Sequence, residues 1–541
     1  MARLVRPTLL LWLLAGPVVG PGGPSSAWAK DYLVTIGGGY EPEENQASLE
    51  ENVLFLQRIL AQHYSADRRH DVFFSDGEDP EPDLQVLAEP EAGPARPVTD
   101  LLAALHRRGG PAGPAVTYRN HRVPEVAGGN SPEAIRDALT RIAREVTAGD
   151  RLLIYVTAHG GPGGRRDPRN TTISCWNDES ISVRSLAGWL NDVPAEVPVV
   201  LVMAQCYCGG FADLIFADLP KRTKLAKAVR VGFFAQQYDL PAAGCRPDIE
   251  HDLEFSSYFW GTLIGQSRSG DPLPGGDADQ DGTVTFDEAF AHAVIVGKTI
   301  DMPLKASDVL LESFSRIPDH TLVRNRERRP ARRDEPDDSD ASPTVQTSDL
   351  PAPVDADSNA TLATLAGPIR ELARDASPAI QRIIKELCRQ LDVSADKTFA
   401  ELLEAYDRWR DERPSPRGRR RSSSGRRELL VAVGERWPEL ADPRGWKQSK
   451  LLDAPGQAAL LAEIKQLPTY AVYEERRLQR EQQSQAAEDH ELREVLYRRL
   501  IDTLENAVLA RNLPAVAPHE VVLHYERMLQ LERSSLQPMS R

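Results

Sequence analysis

The chain has 541 residues, with 80 Asp and Glu against 65 Lys and Arg and a formal charge of −15. That length exceeds one ordinary domain, so two or more are expected. The carboxylate excess argues against general nucleic-acid binding, and five cysteines in this length do not make a disulfide scaffold.

Residues 1–29 read as a secretory signal. Arg3 and Arg6 precede the apolar run LLLWLLAGPVV, and Ala27-Trp28-Ala29 offers small residues for cleavage after Ala29. The alternative is an N-terminal membrane anchor, but the run is short for a span and is broken by Pro17, Pro21 and Pro24. No later apolar run reaches the roughly eighteen residues of a spanning helix. The expectation is an exported protein, periplasmic or extracellular, with no stable membrane span.

A first strand, DYLVTI, leads through Gly37-Gly38-Gly39 into an amphipathic helix over Ala47–Gln62, with Leu49, Val53, Leu56 and Leu60 on one side. The glycine run does not match the dinucleotide-binding fingerprint, which sets that fold aside. Asp71–Phe74 is a short second strand. Gly77–Pro97 and Gly109–Pro114 are breaker-rich and read as an excursion holding one helix, Val98–Arg108. Ser131, Pro132 and Glu133 then open a helix that runs to about Thr147. Two buried-strand runs follow, LLIYVTA (Leu152–Ala158) and VPVVLVMA (Val197–Ala204), separated by a Gly-, Pro- and Arg-rich loop, Gly160–Asn170, and a short helix, Ser182–Leu190. Cys208–Leu219 is expected to continue as helix, Ala228–Ala235 as strand and Leu253–Ile264 as helix or a mixture. The alternation predicts an α/β fold with a mostly parallel sheet covered on both faces.

This domain is expected to span 30–315. Residues 316–360 read as a flexible linker, basic at RNRERRPARR and then acidic and rich in Ser, Thr and Pro. A helical segment over 361–411 carries Ile369, Leu372, Ile380, Ile383, Ile384 and Leu387. A second, basic linker, RPSPRGRRRSSSGRR, lies within 412–428, and 429–541 is a mainly helical C-terminal region.

His159-Gly160 follows directly on the first buried run, and Gln205-Cys206 on the second. If the two strands lie parallel, an imidazole and a thiol emerge at one sheet edge, where open α/β sheets carry their sites. A thiolate is a good acyl-transfer nucleophile once a base raises its share, and histidine titrates near neutral pH. The backbone N–H groups of Gly160 and Cys206 are candidate oxyanion donors, and Gly160, lacking a Cβ, lets the main chain approach the scissile carbonyl closely. A lone His or Cys at a strand end is also a common structural residue.

LIYVTAHGGPG (Leu153–Gly163) and VVLVMAQCYCGGF (Val199–Phe211) resemble the His-Gly and Cys blocks of the caspase-like cysteine peptidases. These include caspases, legumains, metacaspases, gingipains and the catalytic subunit of the GPI transamidase. The legumain-like branch is most similar, in a secreted, bacterial-type form. Its His block continues as Gly160-Gly161-Pro162-Gly163 here. Its Ala-Cys-x-Ser-Gly becomes Gln205-Cys206-Tyr207-Cys208-Gly209, so a second thiol stands at the serine position. VGFFAQQYDLPA and FSSYFWGTL resemble the strand and substrate-pocket loop of the same branch, and the resemblance covers about residues 31–310. It implies a caspase-like three-layer sandwich and peptide-bond hydrolysis through an acyl-enzyme on Cys206, with His159 protonating the leaving amine. It also implies an asparagine that steadies the histidine, for which Asn45 is the candidate. Preference for the residue before the cut ranges over Asp, Asn, Arg and Lys in the superfamily. Asp239, Asp248, Glu250 and Asp252 would suit a basic side chain there, or simply form a solvated acidic loop.

Asp277, Asp279 and Asp281 occupy positions 1, 3 and 5 of a twelve-residue calcium-type loop, with Gly282 at 6, Thr283 at 7, Thr285 at 9 and Glu288 at 12. Three carboxylates, the Thr283 carbonyl, a water near Thr285 and a bidentate Glu288 would supply the oxygens calcium needs. The alternative is an acidic solvated turn. With a single loop, a structural clamp behind the pocket loop is expected rather than a paired sensor.

The expected function is a cysteine endopeptidase acting on protein or peptide substrates. Two alternatives stay open: a catalytically inactive caspase-like module whose helical C-terminal region binds a protein partner, and a legumain-like transpeptidase or transamidase. Arg324–Arg333 and Arg413–Arg427 are candidate self-processing sites if the preference is basic. Cys175 and Cys245 can pair in an oxidising compartment, and Cys388 reads as a small buried hydrophobe.

Overall fold

The computed structural model describes residues 30–64, 67–88, 97–106, 115–244, 254–327, 362–412, 423–453 and 456–536. The signal-like segment 1–29, Cys245, and Asp248, Glu250 and Asp252 lie outside these residues. Among the described residues no helix is long and apolar enough to cross a membrane.

In chain order the strands are β1 (Asp31–Gly38), β2 (Arg68–Phe74), β3 (Leu84–Leu87), β4 (Val116–Arg119), β5 (Val126–Gly128) and β6 (Arg151–Ala158). They continue as β7 (Gly160–Gly161), β8 (Thr172–Cys175), β9 (Glu179–Ser182), β10 (Val199–Met203), β11 (Arg230–Phe234) and β12 (Leu304–Lys305). Seven of them form one sheet, in the order β12-β11-β10-β6-β1-β2-β5. Every neighbouring pair is parallel except β11 with β12. β1 and β6 are buried along their whole length. That explains the apolar runs within them, Tyr32–Val34 and Leu152–Val156, because a parallel sheet is covered on both faces.

The helices of this half are α1 (Ala47–His63), α2 (Pro97–His106), α3 (Pro132–Glu145), α4 (Val183–Leu190), α5 (Phe255–Ile264), α6 (Phe286–Val296), α7 (Ala306–Phe314) and α8 (Val323–Glu327). α1, α5 and α6 pack on one another as one group. α3, α4, the 3₁₀ segment Cys208–Ile215 and α7 form another. The apolar stripe of α1 behaves as its spacing requires, with Leu49, Val53, Leu56 and Leu60 all buried. The Ser131 hydroxyl caps α3 by accepting from the Ala134 N–H at 3.3 Å, with Pro132 in the first turn.

The C-terminal half is α9 (Ile369–Leu372), α10 (Pro378–Leu391), α11 (Phe399–Asp411), α12 (Ser423–Arg436), α13 (Gln457–Lys465), α14 (Pro468–Val516) and α15 (His519–Glu532). α14 has 49 residues, about 70 Å of helix at 1.5 Å per residue. α10, α11, α14 and α15 share one hydrophobic core with the sheet domain, through residues such as Ile383, Leu387, Leu500, Leu504, Val508 and Leu531. Lys305 on β12 is buried between Asp287 at 2.7 Å and Glu532 of α15 at 2.8 Å.

The structure corrects several expected boundaries. The excursion between β2 and α3 holds an antiparallel pair, β3 with β4, besides its helix. That helix, α2, docks with α12 and α13 in a separate small core of Val98, Leu102, Leu105, Leu429, Val433 and Ile464. Gln457 of α13 caps it, accepting from the Val98 N–H at 3.1 Å. After Cys206 the chain forms a 3₁₀ helix only as far as Ile215. Its glycines are pinned, since a Cβ on Gly209 would lie 2.7 Å from the Gln236 oxygen and one on Gly210 2.5 Å from the Arg169 oxygen. The start of the expected 316–360 linker is folded. α8 lies there, Ile317 and Val323 are buried, and buried Arg324 pairs with Glu312 and reaches Asp502 of α14 at 3.9 Å. The expected 412–428 linker likewise ends inside α12, which starts at Ser423.

Candidate functional site

The ladder between β6 and β10 places Val156 opposite Met203. The Ala204 N–H continues it to the Val156 oxygen at 3.0 Å. Three residues beyond that pair the chain reaches His159 after β6 and Cys206 after β10, both past the carboxyl ends of adjacent strands. Gly160 is where the two segments touch: a Cβ there would lie 2.2 Å from the Cys206 carbonyl oxygen and 2.8 Å from the Gln205 side chain. The close approach expected of Gly160 is therefore to the chain carrying the thiol. The Ser174 N–H donates to the His159 oxygen at 2.9 Å. This makes Gly160–Ile173 a non-hydrogen-bonded pair of the β7–β8 ladder, so the Gly160 N–H faces away from β8.

The His159 ring is held by Gln46, not by Asn45. His159 Nε2 lies 3.0 Å from Gln46 Oε1 and 3.9 Å from a Glu44 oxygen, and the Tyr40 ring meets it edge-on at 5.7 Å. Asn45 is spent on the fold. Its Oδ1 accepts from the Gly39 N–H at 2.9 Å, and its Nδ2 donates to Ser75 Oγ at 2.6 Å and the Asp83 carbonyl at 2.8 Å. The adjacent residue, at the start of α1, is the one whose side chain faces the sheet edge.

Cys206 is half-buried at a tight turn, followed by Tyr207 with φ 60°. Its Sγ accepts from the Ala242 N–H at 3.3 Å and lies 3.7 Å from the Ala242 oxygen. Among the described residues no hydrogen bond joins this thiol to His159. Burial pushes the Cys206 thiol up, opposed by the Ala242 main chain and reinforced by the Asp301 carboxylate. Burial lowers the His159 imidazole, partly offset by Glu44. Both shifts favour a neutral thiol beside a neutral imidazole. Cys208, the second thiol, is fully buried and accepts from the Gln236 N–H at 3.3 Å. Burial raises its pKa well above that of an ordinary thiol.

The wall behind Cys206 uses residues that the sequence reading missed. Asp301, 1% exposed, accepts from the Ala243 N–H at 2.8 Å and from Thr299 Oγ1 at 2.8 Å. Gln236 Oε1 accepts from the Met302 N–H at 3.1 Å, and its Nε2 donates to the Pro241 oxygen at 3.0 Å. Such long-range bonds leave no periodic trace in a sequence.

Among the described residues, two clusters could chelate a divalent ion. Asp277, Asp279 and Asp281 bring ligand oxygens within 4.8 Å of one another, around a turn in which Gly282 takes φ 90°. Asp277 accepts from the Gln280 and Gly282 N–H groups, and Asp281 from that of Thr283. Glu288 makes a capping box with Thr285 at the start of α6. Its Oε1 also accepts from the Ala278 N–H at 2.7 Å. The expected bidentate ligand is thus engaged in holding the loop to the helix. The other cluster is Asp76, Asp83 and His121.

No family model matches the chain, and no curated protein matches it. A crystal structure of a structural-genomics target from Geobacter sulfurreducens is similar at 12% identity and a TM-score of 0.27, over 51% of this chain and 92% of that one. A likeness at that level carries no argument about function.

Proposed function

We propose that the chain is a cysteine endopeptidase of the caspase-like superfamily, similar to its legumain-like branch, with Cys206 as nucleophile and His159 as its acid–base partner. The observation that carries this reading is the shared edge of β6 and β10, where adjacent parallel strands deliver an imidazole and a half-buried thiol three residues past a paired register. A neutral pair fits a site in which His159 takes the thiol proton only as the sulfur attacks, once substrate aligns the groups. His159 takes the Cys206 proton, the thiolate adds to the scissile carbonyl, and the protonated imidazole returns the proton to the leaving amine. Water then attacks the acyl-enzyme and releases the second product. The Gly160 N–H, free of the β8 ladder, and the Cys206 N–H are the oxyanion donors in this reading. Gln46, whose Oε1 lies 3.0 Å from His159 Nε2, fixes the ring in this reading.

The loop Asp277–Glu288 fits calcium by its all-oxygen donor set. The ion would hold the start of α6, which carries Asp287 to Lys305. Export from the cell remains part of the proposal through residues 1–29. Of the self-processing candidates, Arg324 is buried in the folded chain, which leaves the basic stretches after it and before α12.

A second reading, a non-catalytic binding module, is favoured by the Ala242 main chain bonded to the Cys206 thiol. A quenched peptide library separates the two. Cleavage that is lost in Cys206→Ala and kept in Cys208→Ala supports the peptidase, whereas no cleavage and no labelling of Cys206 by a thiol-directed peptide inhibitor supports the module. An added amine that captures the acyl group in place of water would reveal a transpeptidase.

A further inference from the structure

Next to the loop that carries Gln46 lies the cluster of Asp76, just past β2, Asp83, just before β3, and His121, just past β4. Its chemistry differs from that of an exposed acidic patch. Asp83 is 1% exposed, and its Oδ2 is buried with no hydrogen-bond partner, as is Asp76 Oδ1. A buried carboxylate oxygen without a partner is costly, about 1–3 kcal/mol or more, so two such oxygens in one cluster ask for a ligand. The imidazole is already oriented. Its Nε2 lies 2.7 Å from the Gly77 carbonyl, and its Nδ1 accepts only a long bond, 3.2 Å, from the Val123 N–H. The carbonyl selects the tautomer with hydrogen on Nε2, so an ion would take the Nδ1 lone pair in place of the Val123 N–H. A ring N–H fixed by a backbone carbonyl is the usual support of a metal-binding histidine.

We propose that Asp76, Asp83 and His121 form a site for a first-row divalent transition-metal ion, bound through two carboxylates and one imidazole. Imidazole and carboxylate together suit zinc, cobalt or manganese, whereas calcium is served by oxygens alone. This cluster and that of Asp277, Asp279 and Asp281 thus differ in the ion they select. The ion would neutralise the paired carboxylates and tie together β2, β3 and β4. The Asp83 carbonyl also accepts from Asn45, so the same ion would brace the turn from which Gln46 reaches His159. The binding does not depend on the chemistry at Cys206, so either proposal can fail alone.

The test uses the full chain, stripped with a chelator and titrated with zinc by calorimetry and with cobalt by its visible absorption. The expected result is about one ion bound through this site, with affinity unchanged in Asp281→Asn and lowered at least about tenfold in Asp83→Asn and in His121→Gln. The two variants guard against each other, because His121 is only part-buried and its loss leaves the carboxylates in place. Equal zinc affinity in wild type and His121→Gln, absence of zinc binding, or displacement of zinc by equimolar calcium would each overturn the proposal.

Discussion

Arg499 of α14 donates to the main-chain oxygen of Asp301 at 3.0 and 2.7 Å, and the Asp301 carboxylate accepts from the N–H of Ala243, next to the residue bonded to Cys206. Arg499 also donates to the carbonyls of Val294, Gly297 and Thr299 at 2.9, 2.9 and 3.1 Å. Burial lowers its pKa to about 10, so the guanidinium stays charged at neutral pH. The long C-terminal helix thus holds the segment that backs the candidate nucleophile. Arg499→Ala would orphan several buried carbonyls and is expected to destabilise the fold by on the order of 3 kcal/mol. It should also speed alkylation of Cys206 under conditions where the chain stays folded. An unchanged alkylation rate would uncouple α14 from the site.

Gln46 and Asn45 are neighbours with different work, and substitution separates them. Gln46→Ala frees the His159 ring and is expected to lower kcat/KM by about 10²-fold with little change in melting temperature. Gln46→Glu places a carboxylate beside the ring, which favours the imidazolium and should move the basic limb of His159 titration to higher pH. Asn45→Ala should lower the melting temperature instead, because it orphans the Gly39 N–H and the Asp83 carbonyl. Peptide hydrolysis and thermal unfolding of the three variants check this.

The sheet, α1, α3 and the strand ends at His159 and Cys206 were legible in the sequence, because buried parallel strands leave continuous apolar runs and amphipathic helices a regular stripe. The helical nature of the C-terminal half was legible too. Its attachment was not: Arg499 on Asp301 and Gln457 on α2 join residues far apart in the chain, and each reads locally as an ordinary polar surface residue. Gln46 was missed for a different reason. The resemblance directed attention to an asparagine, and the bend at Glu44-Asn45 turns Asn45 inward and Gln46 toward the histidine.

The two thiols should differ sharply in the folded chain. Iodoacetamide is expected to modify Cys206 and to spare Cys208. Because burial holds the Cys206 thiol above its ordinary value, its thiolate share, and so the alkylation rate, should keep rising from pH 7 to 9 in the absence of substrate. A rate already level at pH 6–7 would mean a resting thiolate–imidazolium pair and would contradict the neutral pair. Mass mapping against pH reads both outcomes.

Calcium should stabilise the chain through Asp277–Glu288. At a free concentration of 100 times Kd the gain for one site is about 2.7 kcal/mol. Asp277→Asn or Asp281→Asn should remove most of it, while Asp83→Asn should not. Chemical unfolding with calcium and with chelator measures the difference, and an equal gain in all variants would locate the ion elsewhere.

The central claim is that Cys206, positioned with His159, is the nucleophile of peptide-bond hydrolysis. Its most direct measurement is hydrolysis of a quenched peptide library by the calcium-loaded full chain, by Cys206→Ala and by Cys208→Ala. The expected result is cleavage after one preferred residue, abolished in Cys206→Ala and retained in Cys208→Ala. Cleavage that survives in Cys206→Ala, or a folded, calcium-loaded wild type that cleaves no peptide, would contradict it.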